Sequence, residues 1–213
     1  MKVGIIGSGA VAQSLGAGFL KHGHDVMLGT RSPEKLDAWR RDHSQAVVGS
    51  MAAAAEHGEV VVLAVKGTVA LDALQAAGTA NLGGKLVIDA TNPIADAPPV
   101  NGVLRFFTTL DDSLMERLQK AVPAARFVKA FNSVGSAFMV DPRFEGGKPS
   151  MFICGNDESA KRTVQGILED FGWDVQDMGM IEAARAIEPM CMLWCIPGLL
   201  RNEWSHAFKL LKA

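Results

Sequence analysis

The sequence predicts a doubly wound α/β fold, in which helices cover both faces of a parallel sheet, followed by a smaller C-terminal part of mixed strands and helices. Strand-length apolar segments alternate with helical segments through residues 1–135, and this alternation is typical of a parallel sheet. Residues 60–65 are apolar without interruption, as expected for a strand that is buried on both faces. The chain also opens with a strand, a glycine-rich turn and a helix.

That opening unit carries a pattern typical of dinucleotide binding. Residues 1–7 indicate a buried strand and residues 11–21 a helix, and the turn between them has the form G-x-G-x-x-A. The first glycine allows a tight turn, the second lets the backbone approach a pyrophosphate, and the alanine lets the helix pack on the strand. The helix N-terminus presents free N–H groups and a positive dipole end to the anion. The predicted binding residues are Gly7, Ser8, Gly9, Ala10, Val11 and Ala12.

The end of the second strand indicates a phosphorylated dinucleotide. An NAD site normally has a carboxylate about 20 residues after the glycines, where it binds the ribose 2′-hydroxyl. This chain has Thr30, Arg31 and Ser32 there, with Lys35 one turn later. A guanidinium pairs with a 2′-phosphate and stacks on adenine, hydroxyls donate hydrogen bonds, and lysine adds a positive charge. The sequence therefore predicts NADPH in preference to NADH. Ser32 and the following proline also fit a helix cap, and the two roles are compatible.

Further candidates follow two later strands at the same edge of the sheet, since ligands bind doubly wound sheets at the carboxyl ends of the strands. Val65 and Lys66 end one predicted strand, and Asn92 and Pro93 follow the next, so all four are predicted to bind the cofactor near its nicotinamide. Asn132 ends a later strand at this edge. Lys66 fits equally a solvent-exposed strand end, and Asn92-Pro93 fits a turn selected for its geometry.

The connections are predicted from caps and from loop length. Ser50 is expected to cap a short alanine-rich helix, and Asp111-Asp112 to cap the helix before the strand at 126–131. Residues 94–110 form a connection longer than the roughly 12 to 15 residues that are common in compact domains. We interpret this connection as a flap over the acceptor pocket, with an ordinary surface Ω-loop as the alternative.

Residues 136–213 are predicted to form a small C-terminal domain after the cofactor-binding domain of residues 1–135, completing the acceptor cleft. Its expected elements are two strands and two helices, at 150–154, 173–177, 157–171 and from 181 onward. Residues 190–200 are apolar almost all round, and a helix without a polar face must be buried. The cofactor cleft and a second copy are the expected covers, so the sequence predicts a homodimer.

Composition excludes several classes of function. A net charge of −2 without a basic run gives no attraction to nucleic acid or to an anionic membrane. The longest apolar run has 11 residues, short of the roughly 20 that span a bilayer, and no signal peptide is evident. Cys154, Cys191 and Cys195 lie in apolar runs, so we expect reduced thiols and a cytoplasmic protein. Cys191 and Cys195 share a helix face without further suitably spaced ligands, so core packing is favoured over a metal site.

No catalytic side chain is assigned. The chain has no tyrosine, which excludes the Tyr-Lys arrangement of short-chain dehydrogenases, and no zinc or nucleophile motif is evident. An NADPH enzyme without an evident proton donor suits hydride transfer to another redox cofactor. In such a reaction the protein supplies juxtaposition and excludes water.

Four segments resemble the F420:NADPH oxidoreductase family and, equally, the cytosolic reductase domain of STEAP metalloreductases. These segments are residues 3–12, 28–32, 154–157 and 177–179. The resemblance covers nearly the whole chain. It implies a Rossmann domain that binds NADPH with its nicotinamide facing a deazaflavin (F420) or flavin (FMN or FAD) ring. It also implies that Asn132, Ser133 and Val134 lie at the acceptor pocket and that Asn92 and Pro93 lie beside the reacting rings.

Two positions bear on the acceptor. The deazaflavin enzymes carry histidine where this chain has Asn132, and they lack its Thr91-Asn92-Pro93 form, so the chain is closer there to the flavin-using domains. Membrane helices like those of the STEAP proteins do not follow within the sequence. The leading hypothesis is a soluble NADPH-dependent oxidoreductase acting on a deazaflavin, with a flavin close behind. The alternatives are a small imine or 2-ketoacid-type reductase, whose usual helical domain has little room here, and a non-enzymatic NADPH-binding sensor.

Overall fold

The computed structural model describes all residues from 1 to 213. Its strands are β1 Lys2–Ile6, β2 Asp25–Gly29, β3 Val47–Gly49, β4 Val60–Leu63, β5 Leu86–Asp89, β6 Arg126–Lys129, β7 Ser150–Ile153 and β8 Asp174–Asp177. Its α-helices are α1 Ala10–Lys21, α2 Asp37–Asp42, α3 Met51–His57, α4 Ala70–Ala77, α5 Thr79–Leu82, α6 Leu114–Ala121, α7 Glu158–Asp170 and α8 Ala184–Arg201. Short 3₁₀ turns are formed by Pro33–Leu36, Gly67–Val69, Ser136–Phe138 and Ile181–Ala183.

Six strands form one parallel sheet in the order β3-β2-β1-β4-β5-β6. After β3 the chain crosses to the other half of the sheet, so that β4 lies beside β1. In doubly wound folds ligands bind in the crevice between these two strands, where the strand order reverses. The strands β7 and β8 form a separate two-stranded parallel sheet. The predicted fold class is confirmed: a Rossmann-type doubly wound sheet with a small C-terminal α/β part.

Side chains of the large sheet alternate between two hydrophobic cores. Val3 and Ile5 of β1 belong to a core of 29 buried residues, whereas Ile6 belongs to a core of 21. Because both faces are covered, the central strands are apolar throughout. The larger core also contains Met151 and Ile153 of β7. The C-terminal part therefore shares a core with the sheet that carries the cofactor-binding turn.

The cap of α6 differs from the expectation. Ser113, rather than Asp111 or Asp112, caps the helix: its Oγ accepts a hydrogen bond from the Glu116 N–H at 3.2 Å, and the Glu116 carboxylate accepts from the Ser113 N–H at 3.0 Å. Asp112 instead pairs with Arg117. This capping box provides partners for two N–H groups that the first turn would otherwise leave unpaired.

The other two expected caps had different outcomes. Ser50 caps α3 by accepting a hydrogen bond from the Ala53 N–H at 3.0 Å. Ser32 makes no cap hydrogen bond with its side chain, because Pro33–Leu36 form a 3₁₀ turn and the helix begins only at Asp37. The Ser32 hydroxyl therefore has no capping role.

The long connection after β5 contains a small β-hairpin. Val100 and Val103 pair at its tip, and the residues between them, Asn101 and Gly102, have φ values of 50° and 78°. These positive values are typical of the two-residue turns that fit the twist of a hairpin. The tip packs on α8, since a Cβ on Gly102 would lie only 2.6 Å from the Leu200 Cγ.

The helix α8 is packed on one side and uncovered on the other. Ile187 and Trp194 are buried, whereas Leu193 and Leu200 are more than half exposed. The segment Ile181–Arg201 is long and apolar enough to cross a membrane, but a core helix meets the same criteria of length and composition. One third of its apolar window is buried within this fold.

The capping box of α6 can be tested by removing its hydroxyl. We expect Ser113→Ala to lower the free energy of unfolding by about 1 kcal/mol, because the Glu116 N–H loses its partner. Asp111→Ala is the matched control and should change it by less than about 0.5 kcal/mol. Urea denaturation of both variants provides the measurement. A larger loss for Asp111→Ala would contradict the assignment of Ser113 as the cap.

Candidate cofactor-binding site

A cavity of about 400 Å³ lies at the carboxyl ends of β1, β2 and β4. Eleven of the fourteen residues predicted to bind the cofactor line it, namely Gly7, Ser8, Gly9, Ala10, Val11, Thr30, Arg31, Ser32, Lys35, Val65 and Lys66. Its lining is completed by three apolar residues that the sequence did not single out, Met51, Ala64 and Ala90. Three predicted residues lie outside this lining, namely Ala12, Asn92 and Pro93.

The two glycines of the turn are required for different reasons. Gly7 has a φ of 141°, and a Cβ there would lie 2.2 Å from the Ala64 carbonyl oxygen and 3.4 Å from the Cβ of Ala12. The protein itself therefore excludes a side chain at Gly7, and Ala12 packs beneath the turn. A Cβ on Gly9 would meet no protein atom within 4 Å. The space beside Gly9 is open to a ligand.

The N-terminus of α1 faces this space without a competing negative charge. Gly9 is the N-cap residue and offers no side-chain acceptor, and the first turn contains no acidic residue. The Gln13 amide donates to the Ser8 carbonyl oxygen at 2.9 Å and so fixes the turn. The free N–H groups and the positive dipole end therefore remain available to an anion.

Cationic groups lie at the mouth of the cavity beyond β2. Arg31 and Lys35 are exposed, and neither forms an ion pair. Thr30 is buried, and its Oγ1 donates to Ser8 Oγ at 3.1 Å and accepts from the Ser32 N–H at 3.1 Å. Thr30 thus joins the glycine turn to the cationic loop, while the charged side chains remain free.

Another side of the cavity is formed by the segment after β4. Ala64 and Val65 line it, with the exposed Lys66 at its edge. A Cβ on Gly67 would lie 2.0 Å from the Asn92 carbonyl oxygen, so the two connections pass in direct contact. Asn92 is therefore next to the cavity, although it does not line it.

Asn92 connects the cavity to the residues predicted for the acceptor pocket. Its Nδ2 donates to the Asn132 carbonyl oxygen at 2.8 Å, and Asn132 Nδ2 donates to the Ile187 carbonyl oxygen of α8 at 2.8 Å. Asn132, Ser133 and Val134 are all buried, and none lines the cavity. These residues form a buried wall that is covered by α8.

Phe131, which immediately precedes this wall in the chain, has an unusual backbone conformation. Its φ is 63°, a left-handed value that is rare for a bulky residue, and the side chain is fully buried. Its N–H lies 3.2 Å from Met151 Sδ. Phe131 lies two residues after the end of β6 and immediately before Asn132. Strain of this kind persists only where the surrounding structure enforces it.

Three buried charges adjoin the wall. Lys129 Nζ lies 2.7 Å from Asp89 Oδ2 and 2.9 Å from Glu188 Oε1, and it donates to the Thr91 carbonyl oxygen at 2.9 Å. The three side chains are at most 1% exposed. Asp89 Oδ1 also accepts from the Thr91 N–H at 2.9 Å and from its hydroxyl at 2.6 Å. The cluster thus holds the turn that leads to Asn92.

Glu188 extends the cluster to a further helix. Its carboxylate accepts hydrogen bonds from the N–H groups of Leu114 and Met115, each at 2.9 Å. These groups begin α6, where a carboxylate is favoured by the helix dipole. One carboxylate therefore joins α8 to both α6 and β6.

The buried groups near the wall are poor proton donors at neutral pH. Burial alone would lower the pKa of Lys129, but the carboxylates of Asp89 and Glu188 outweigh it and hold that pKa above its usual value. Burial raises the pKa of the Cys154 thiol to about 12. Lys129 consequently stays charged and Cys154 stays protonated.

The remaining cysteines form a thiol pair on α8. All three cysteines of the chain are free. The interaction between the thiols of Cys191 and Cys195 raises the pKa of Cys191 and lowers that of Cys195. No group of three or more histidine, cysteine, aspartate and glutamate side chains is placed to hold a metal ion.

Sequence reasoning missed the charged cluster, although a signal was present. Lys129 lies in an apolar strand and Glu188 in an apolar helix. A charge in a segment that must be buried requires a partner. The signal identifies such residues as candidates, but it does not show that they pair with each other.

The contribution of the cluster to stability can be measured with Lys129→Met. Two buried carboxylates would then lack their cation, so we expect the free energy of unfolding to fall by about 3–5 kcal/mol. Lys120→Met, on the exposed face of α6, is the matched control and should change it by no more than about 0.5 kcal/mol. Similar values for the two variants in denaturant titrations would show that the buried cation is not needed.

Comparisons with known proteins agree with this architecture. Residues 2–93 match the family model "NADP oxidoreductase coenzyme F420-dependent". The chain is 32% identical to a protein from Arthrobacter sp. FB24 that carries the provisional name F420-dependent NADP-reductase, with a TM-score of 0.93 and coverage of 100% of both chains.

Two further proteins are similar to this chain over most of its length. Metalloreductase STEAP3 of Rattus norvegicus is 30% identical over 204 residues, which are 93% of this chain but only 39% of that relative. An imine reductase of Streptomyces aurantiacus has a TM-score of 0.67 at 16% identity, covering 94% of this chain and 63% of its own, and this likeness shows a shared fold alone. The resemblance inferred from the sequence motifs is confirmed by the family match and by the full-length likeness to the Arthrobacter protein. The chain belongs to the F420-dependent NADP oxidoreductase family.

Proposed function

We propose that this protein transfers hydride between NADP(H) and a planar redox cofactor, either the deazaflavin F420 or a flavin such as FMN or FAD. The observation that carries the proposal is the cavity at the glycine turn, which has unpaired cations at one end and a buried polar wall beside the other. Family membership supports the NADP-dependent oxidoreductase class. The choice of a ring cofactor as the acceptor rests on the buried wall formed by Asn132, Ser133 and Val134.

The cationic end suits the adenosine half of NADP(H). Arg31 and Lys35 would bind the 2′-phosphate, and Ser32 would donate a further hydrogen bond. A carboxylate, which would repel that phosphate, is absent from the cavity lining. The open space at Gly9, together with the start of α1, would hold the pyrophosphate. When bound, the cofactor supplies or receives the hydride.

The end of the cavity next to Asn92, here called the ring end, suits a reaction that depends on how the two reacting rings are positioned. Val65 and Lys66 would lie along the nicotinamide, with Asn92 and Pro93 beside the reacting rings. Asn132, Ser133 and Val134 would complete the acceptor side through the wall that Asn92 joins. The buried Lys129 stays charged there, so the chain orients the rings and excludes water rather than moving a proton.

We also propose a homodimer and a cytoplasmic location. Leu193, Leu199 and Leu200 form an exposed apolar face on α8 that a second copy would cover. The three free cysteines suit a reducing compartment.

Cofactor preference can be tested at Arg31. We expect Arg31→Ala to weaken NADPH binding by about 10- to 100-fold, the value of a charge-assisted hydrogen bond, and NADH binding by less, because NADH loses only the stacking on adenine. Arg40→Ala is the matched control, because Arg40 is exposed and outside the cavity lining. Fluorescence titration gives both affinities. Equal losses for the two coenzymes would mean that Arg31 does not bind the 2′-phosphate.

The pyrophosphate position can be tested at Gly9. A Cβ there has no protein atom within 4 Å, so we expect Gly9→Val to remain folded while NADPH binding falls by at least about tenfold through overlap with the ligand. Gly166→Val, at a position of α7 that is equally open, should leave binding unchanged. Unchanged NADPH affinity of folded Gly9→Val would place the cofactor elsewhere.

The acceptor can be identified by following NADPH oxidation spectrophotometrically. The purified protein is mixed with F420, FMN, FAD or a cyclic imine, with NADH in place of NADPH as the control. We expect turnover with the deazaflavin or with a flavin. Turnover with the imine alone would support an imine reductase. Tight NADPH binding without turnover would support a sensor.

A further inference from the structure

Two thiols lie one turn apart on α8, and the proposed hydride transfer does not use them. Cys191 is buried and Cys195 is partly exposed. Residues four apart in a helix lie on the same face, so the pair occupies one side of α8. Neither cysteine lines the cofactor cavity. The pair is therefore a separate chemical feature of the helix that covers the buried wall of Asn132, Ser133 and Val134.

The two thiols differ in their tendency to ionise. The interaction with the Cys191 thiol lowers the pKa of Cys195, although burial acts in the opposite direction. The same interaction, together with burial, raises the pKa of Cys191. The thiolate is the form that attacks an oxidant. Cys195 is therefore the nucleophilic member, and a protonated second thiol lies beside it, as is typical of cysteines that respond to oxidants.

The spacing of the pair is compatible with a disulfide, but only in a distorted helix. Four residues rise about 6 Å along an α-helix, and disulfides join Cα atoms that are about 4.4–6.8 Å apart. The Cβ atoms of such helical neighbours are about 5–6 Å apart, whereas a disulfide needs about 3.5–4.5 Å. Formation of the bond therefore requires the turn between Cys191 and Cys195 to tighten.

Two prolines make this part of α8 easier to distort. Pro189 and Pro197 lie inside the helix, one on each side of the thiol pair. Because proline has no N–H, the helix lacks the hydrogen bonds that would end on the carbonyl oxygens of Arg185 and Leu193. The turn that carries the thiols is thus bounded by two interruptions of the hydrogen-bond ladder. A distortion between them breaks fewer backbone hydrogen bonds than it would in an uninterrupted helix.

The same turn of α8 packs against the end of the buried wall. Trp194 lies between the two cysteines and is buried. A Cβ on Gly135 would lie 3.0 Å from Trp194 Cη2, so the indole packs on the residue that follows Val134. The indole N–H donates to the His206 carbonyl oxygen at 2.9 Å. A change in the turn would therefore shift a side chain that supports the wall.

We propose that Cys191 and Cys195 form a peroxide-sensitive thiol pair, whose disulfide distorts α8 and slows hydride transfer to the acceptor. The Cys195 thiolate attacks hydrogen peroxide, the O–O bond breaks, and a sulfenic acid and hydroxide form. The Cys191 sulfur then bonds to the Cys195 sulfur, and the displaced hydroxyl leaves with the Cys191 proton as water. Peroxide thereby takes two electrons from the two thiols. A dithiol reductant restores them by thiol–disulfide exchange.

The first test compares the three thiols within the wild-type protein. Cys154 is the internal control, because it is fully buried and burial raises its pKa to about 12. We expect hydrogen peroxide to oxidise Cys195 at least about tenfold faster than Cys154, since the rate follows the thiolate fraction. Peptide mass spectrometry should then find a disulfide between Cys191 and Cys195 that dithiothreitol reverses.

Three results of this test would each overturn the proposal. They are oxidation of Cys195 no faster than that of Cys154, a sulfinic acid at Cys195 without the disulfide, and a disulfide between two copies of the chain. None of these measurements requires turnover. The thiol chemistry is therefore tested separately from the proposed function, on which only the effect of the disulfide on hydride transfer rests.

Cys195→Ala and Cys154→Ala are the matched variants for that effect. We expect peroxide to lower acceptor turnover at least about tenfold in the wild type and in Cys154→Ala, because small displacements at a reacting site are costly, and to leave Cys195→Ala unchanged. NADPH affinity should stay unchanged in all three, since no residue of α8 lines the cofactor cavity. An equal loss in Cys195→Ala, or unchanged turnover after the disulfide has formed, would overturn the proposal. Absence of turnover before peroxide is added would overturn the proposed function instead.

Discussion

One buried ammonium group holds the ligand-binding edge of this fold together. Burying a charge costs several kcal/mol unless it is paired, and the Lys129 ammonium forms ion pairs with Asp89 and Glu188 and donates a hydrogen bond to the Thr91 carbonyl oxygen. Glu188 in turn caps α6 from α8. If β5, β6, α6 or α8 moved separately, a charge or an N–H group would lose its partner in the interior. The edge of the sheet is therefore set by one shared network rather than by each strand alone.

The two ends of the site have different characters. At the adenosine end Arg31 and Lys35 are exposed and unpaired, so their charge is available to a ligand. At the ring end the side-chain N–H groups of Asn92 and Asn132 already donate hydrogen bonds to the protein, and Asn132 bonds to α8. Charge selects the phosphorylated half of a dinucleotide, whereas shape and rigidity position a ring. The strained Phe131 fits this second role, because a rigid surrounding is what sustains it.

The features that could be predicted from the sequence are those that depend on a local pattern of residues. The glycine turn, the buried parallel strands and most of the cavity lining follow from spacing and composition alone. The cap at Ser113 was also readable, because Glu116 follows three residues later, and the hairpin was readable from Asn101-Gly102 between valines. The pairing of Lys129 with Glu188 was not, since it joins residues far apart in the chain. Only tertiary packing brings such residues together.

The titration properties of the ring end bear on which acceptor fits it. Reduction of an imine requires a proton on nitrogen, and a positioned side chain that titrates near neutral pH would accelerate its transfer. The pKa of Lys129 is raised by its two carboxylates and that of Cys154 is raised to about 12 by burial, so neither meets this need. No histidine lines the cavity. In a ring cofactor the hydride is received at one atom, and any proton can reach another atom from solvent. These titration properties are consistent with the proposed deazaflavin or flavin acceptor.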